Sequence, residues 1–156
     1  MDNIVIFGAG NILLSDEGFG VHFVRYLEKN YALPDNIKLF DAGTLGIMAM
    51  HIIEEADYLF IVDVVSVKGK PGDIKVYEKN DIIFDRIPTK MSPHQIGLQE
   101  VLLLSEIREK LPKIIKLFGI IPENIETGIT LSDKLKEKLP KLAVLLMEEI
   151  EYLTNN

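Results

Sequence analysis

Residues 4–23 read IVIFGAGNILLSDEGFGVHF, a short apolar run closed by Gly8-Ala9-Gly10. Such a run, ended by glycines, suits a strand buried on both faces. A glycine turn in this place often cradles a phosphate. Here, however, Asp16 and Glu17 follow six residues after Gly10, where negative charge would repel one. The stretch therefore predicts an α/β start whose first loop carries acids.

Apolar, β-rich runs alternate with helical patterns onward from this stretch. A helix is expected from Gly20 to Lys29, with Val21, Val24 and Leu27 on one face, then a strand over Ile37–Phe40 reaching Asp41. A second helix is expected over Leu45–Ala56, followed by the strand YLFIVDVV (58–65). Asp73–Lys79 alternates after a Pro-Gly turn and reads as a hairpin or edge strand. Gln95–Arg108 is helical, KIIKLFGII (113–121) is another buried strand, and Ser132 is placed to cap a closing helix toward Tyr152 that Pro140 would bend. The order implies one α/β domain over residues 1–156. Its central sheet should be mainly parallel with helices on both faces and one antiparallel or edge hairpin segment.

Composition narrows the function. At 156 residues and 47% hydrophobic, the chain can bury a sizeable core. Its 24 acids against 17 bases argue against sequence-independent nucleic-acid binding. The absence of cysteine excludes disulfides, thiolate metal sites and a cysteine nucleophile. No signal peptide and no membrane span are expected, so a cytoplasmic protein is anticipated.

In parallel sheets ligands bind beyond the carboxyl ends of the strands. That rule singles out Asp16 and Glu17 after the first strand, Asp41 ending the second, Asp63 in the third, and His94 before a helix start. Each has a plainer reading. Asp16 or Glu17 can serve as a helix N-terminal acid, Asp41 can make an Asx turn, and His94 can be a loop or cap residue. Asp63 is the hardest to explain away, because burying a carboxylate in so apolar a strand is costly. His22 and His51 fall in helical patterns and read as packed or surface residues.

Dinucleotide binding is disfavoured because Leu13 stands where the third glycine of G-x-G-x-x-G belongs. A serine hydrolase lacks its Gly-x-Ser-x-Gly elbow, and the paired Asp-Thr/Ser-Gly signatures of the usual aspartic proteases are missing. Two carboxylates and one imidazole suit a borderline divalent ion with open positions. Chemistry alone leaves a metal-dependent enzyme and a metal-sensing binder both open.

GNILLSDEGFGV, DAGTLG, the Asp63 strand, SPHQIGL and GIIPENIETGITLS together resemble the hydrogenase maturation endopeptidases, from Ile4 to about Leu153. The resemblance implies a protease that removes a C-terminal extension from the large-subunit precursor of a [NiFe] hydrogenase after nickel insertion, recognising that nickel. It implies Glu17, Asp63 and His94 as metal ligands; some relatives carry Asp at the position of Glu17. A divalent metal would be able to occupy this site in isolation. Asp41 is the acid offered by topology as general base. Gly43, Thr44 and Gly46 of the D-x-G-T-x-G motif are offered as contacts to the precursor backbone. Two alternatives stand beside this reading: a non-catalytic binder of nickel-loaded precursor and a nucleotide-binding domain.

Overall fold

The computed structural model describes residues 1–41, 47–83 and 93–155. Five strands form one sheet: β1 (Ile4–Gly8), β2 (Ile37–Asp41), β3 (Tyr58–Val64), β4 (Ile74–Glu78) and β5 (Ile114–Ile120). The helices are α1 (Phe19–Asn30), α2 (Ile47–Glu55), α3 (Lys79–Ile83), α4 (Pro93–Ile107) and α5 (Asp133–Thr154). The strand order is β2-β1-β3-β5-β4; every neighbouring pair is parallel except β4 with β5.

Burial follows position in the sheet. β1 and β3 are buried at every residue, as continuous apolar runs must be when helices cover both faces. β2 and β4, at the edges, are only partly buried. Successive side chains leave opposite faces of a strand. Ile4, Ile6, Phe60, Val62, Phe118 and Ile120 thus join α1 and α5 in one core, whereas Val5, Phe7, Leu59, Ile61 and Leu117 join α2, α3 and α4 in the other. Val21, Val24 and Leu27 are all buried in α1, as their spacing predicts.

Asp73–Lys79 contains the expected edge strand, but β4 does not return on β3 as a hairpin. The available side of β3 is taken by β5, with Asp63 opposite Gly119, so β4 pairs antiparallel with β5 instead. Ser132 does precede the last helix. Its hydroxyl makes no cap bond; it is engaged elsewhere, as described below. That helix continues through Pro140, which lacks the N–H its turn would use.

His22 on α1 is half-buried, and its Nε2 is buried with no hydrogen-bond partner among the described residues. Burial, helped by the charge of Arg25, holds its pKa below the ordinary 6.5. The unfolded chain then binds the proton more readily. Stability carried by the neutral ring is present above the unfolded pKa and lost as pH falls through the lower folded value. His22→Gln is expected to flatten the fall in Tm between about pH 7 and about pH 5. Parallel Tm profiles for the two proteins would contradict this.

Candidate functional site

β1 leads through α1 to β2 on one side of the sheet, while β3 leads toward β5 on the other. The carboxyl ends of β1 and β3 therefore flank the point where strand order reverses, which is where a crevice opens in such sheets.

Gly10 leaves β1 with φ +129°, a region that side chains disfavour. A Cβ there would lie 2.0 Å from the Glu17 carbonyl oxygen and 3.4 Å from Asp63 Oδ1. Gly10 is thus wedged between the two acids' residues, and only glycine fits. The loop folds back on itself: Asn11 N–H donates to the Glu17 carbonyl (3.2 Å), Glu17 N–H to the Leu14 carbonyl (3.1 Å) and Leu13 N–H to Asn11 Oδ1 (2.9 Å). A 3-10 turn over Ser15–Gly18 results, with Glu17 partly buried.

Asp63 is fully buried near the end of the central strand, and its Oδ1 accepts the Val64 N–H at 2.8 Å. By strand alternation it shares the face of Leu59 and Ile61, the side covered by α2 and α4. α4 runs back against the strands before β5, so its first turn lies at the same carboxyl edge. His94 belongs to that turn; its side chain lies outside the described residues, as do Gly43, Thr44 and Gly46 altogether.

Asp41 is placed differently. It ends β2, opposite Gly8 in register and two strands from Asp63. Ile37 and Leu39 point to the α1 side, and alternation sends Asp41 the same way. There its Oδ2 lies 3.7 Å from the Arg25 guanidinium of α1. The topology that offered Asp41 as a base fixed its edge of the sheet but not its face.

Asp16 and Glu17 part company. Asp16 is fully buried, and its carboxylate accepts hydrogen bonds from Glu123, Asn124 and Ser132. The sequence carries no sign of this partnership, since three of the four donors are backbone amides more than a hundred residues away.

Among the described residues no three His, Cys, Asp or Glu side chains gather around a point where a metal would sit. The proposed trio includes His94, whose side chain is not among them. As donors, two carboxylates and an imidazole match a borderline divalent ion rather than a thiolate-seeking one.

The chain's relatives agree with one another. The hydrogenase maturation protease family matches residues 21–149. The hydrogenase 2 maturation protease of Escherichia coli K12 is 39% identical over 132 residues, covering 83% of this chain and 79% of that protein. The hydrogenase expression/formation protein HoxM of Azotobacter vinelandii is 37% identical over 146 residues, covering 92% and 70%. The solved structure of the hydrogenase maturating endopeptidase HybD from E. coli superposes with a TM-score of 0.86 at 36% identity, over 96% of this chain and 93% of that one. No helix among the described residues is long and apolar enough to cross a membrane. By sequence and by fold, the chain belongs to the hydrogenase maturation proteases, a family of peptide-bond hydrolases.

Proposed function

We propose that this protein cuts the C-terminal extension from a [NiFe] hydrogenase large-subunit precursor once nickel is in place, and that Glu17, Asp63 and His94 read that nickel. The observation that carries the proposal is the buried Asp63 carboxylate at the strand-order reversal, with Gly10 packed close to both it and the Glu17 backbone carbonyl. The start of α4, with His94, at the same edge and on the same face supports the third ligand.

In this reading nickel belongs to the substrate. Two carboxylate oxygens and one imidazole nitrogen offer it contact without thiolate. The protease has no cysteine of its own, so soft-ligand preference keeps the ion with the precursor's cysteines. The metal is inspected and left behind. Its contact brings the adjoining peptide to the crevice, where proximity and orientation lower the barrier to hydrolysis. Peptide cleavage then follows either with the ion polarising the reacting groups or with a carboxylate activating water. Asp41, beside Arg25 on the α1 side of the sheet, draws no support from its position for that second role. Gly43, Thr44 and Gly46 keep their proposed part as contacts to the precursor on the motif alone.

Incubation with nickel-loaded and nickel-free precursors, followed by intact mass, tests the proposal. The expected outcome is loss of a C-terminal peptide from the loaded form only. A stable complex with the extension still attached would mean a binder rather than a protease. Cleavage of both forms would mean nickel is not read.

A further inference from the structure

Asp16 has no cationic side chain paired with it among the described residues, yet its carboxylate is fully buried. Burial of that kind is tolerated when hydrogen bonds replace water. Oδ1 accepts the Ser132 N–H at 2.7 Å, and Oδ2 accepts the N–H groups of Glu123 (2.9 Å) and Asn124 (3.0 Å) and the Ser132 hydroxyl (2.8 Å). All four donors belong to the strap that joins β5 to α5, at sequence separations of 107 to 116 residues. The backbone reinforces the contact: Asp16 N–H donates to the Asn124 carbonyl, Ser15 N–H to the Gly128 carbonyl, and Gly128 N–H to the Leu13 carbonyl, each at 2.9 Å. The start of α5 adds a favourable dipole. Ser132 is diverted to this bond and gives α5 no side-chain cap.

These bonds converge on Asp16, the residue directly before Glu17. We propose that Asp16 is a positioning residue: it clamps the 122–132 strap onto the first loop and so holds the Glu17 turn against Gly10, beside Asp63, in one orientation. The role of Glu17 toward the precursor rests on the function proposed above; the clamp does not.

A merely stabilising residue would lower Tm and leave the rate per folded molecule unchanged. A positioning residue changes that rate well below Tm. Ser132→Ala removes one of the four donors and spares the backbone three, whereas Ser132→Thr keeps a hydroxyl. Asp16→Asn keeps the volume but turns an amide N–H toward backbone N–H groups. With nickel-loaded precursor, rates are corrected for the folded fraction measured by circular dichroism. Ser132→Ala is expected to process about tenfold more slowly, Ser132→Thr within about twofold of wild type, and Asp16→Asn about 100-fold more slowly, the scale of an ångström-sized misplacement. Unchanged rates per folded Ser132→Ala molecule would overturn the proposal, even where Asp16→Asn fails to fold.

Amide exchange provides the independent arm. In Ser132→Ala the Glu17 and Gly18 amides should exchange at least about tenfold faster relative to those of β3. Unchanged protection there would also overturn the clamp. A wild-type protein that leaves the precursor uncut, with this exchange difference present, would refute the proposed function and retain the clamp.

Discussion

Asp63→Asn is expected to fold normally and to leave the precursor uncut. Asparagine has nearly the volume of aspartate, and its amide oxygen can still accept the Val64 N–H that Asp63 Oδ1 takes at 2.8 Å. The surrounding β3 residues, buried without exception, keep their packing. What disappears is a negative charge, any capacity to take a proton and, on the function proposed above, the anionic ligand offered to the precursor's nickel. The expected loss of processing is on the order of 100-fold or more, the scale seen when a group acting on the reacting centre is removed. If the carboxylate instead serves as half of a structural ion pair, the same change strands its partner and costs roughly 3–5 kcal/mol. In a domain of this size that is a fall of about 6–20 °C in Tm. Thermal midpoint and cleavage yield, measured together, separate the two roles. An unfolded variant or one that cuts at the wild-type rate would remove Asp63 from the site.

Gly20→Ala should act in the opposite way, through the fold first. Gly20 lies in the first turn of α1, where the helix meets the ends of β1 and β3. An added Cβ would lie 2.1 Å from the Val62 carbonyl oxygen, 2.3 Å from the Ala9 carbonyl oxygen and 2.6 Å from the Ala9 nitrogen. All three are backbone atoms. The Val62 carbonyl also accepts the Ala9 N–H at 3.0 Å, so neither partner can yield without breaking that bond. Alanine's better helix propensity, worth about 1 kcal/mol, is outweighed by overpacking against groups that cannot rotate away. A net loss of about 3 kcal/mol, the upper part of the usual overpacking range, corresponds to a Tm lower by about 6–12 °C. Because Asp63 directly follows Val62, the surviving folded molecules should also process more slowly. A Tm within about 2 °C of wild type would show that α1 can shift away from the sheet at little cost.

Much of the frame was legible in the residues because it depends on local pattern. Continuous apolar runs mark β1, β3 and β5 as covered on both faces, and the alternation of 73–79 marks an edge. The site was legible only as far as topology carries. Strand alternation places Asp63 on the α4 side, but the second strand's register, which turns Asp41 toward Arg25, is visible only once Leu39 and Phe40 are assigned to their cores. β4 was legible as an edge, yet not its partner, since β3 and β5 compete for it on equal terms in sequence. Asp16 was the least legible of all. Its donors are largely main-chain amides more than a hundred residues away, and amides leave no signature in side-chain identity.

That separation has a consequence in time. The loop bearing Glu17 is near the amino terminus, but four of the bonds that hold it come from residues 123–132. Contacts so distant along the chain form late, after the loop-closure entropy has been met by nearer ones. A nascent chain that has already joined β1, β2 and β3 therefore still lacks the anchors of its Glu17 turn. The strap that supplies them is built from residues past β5, so on the ribosome the finished turn waits until Ser132 has emerged.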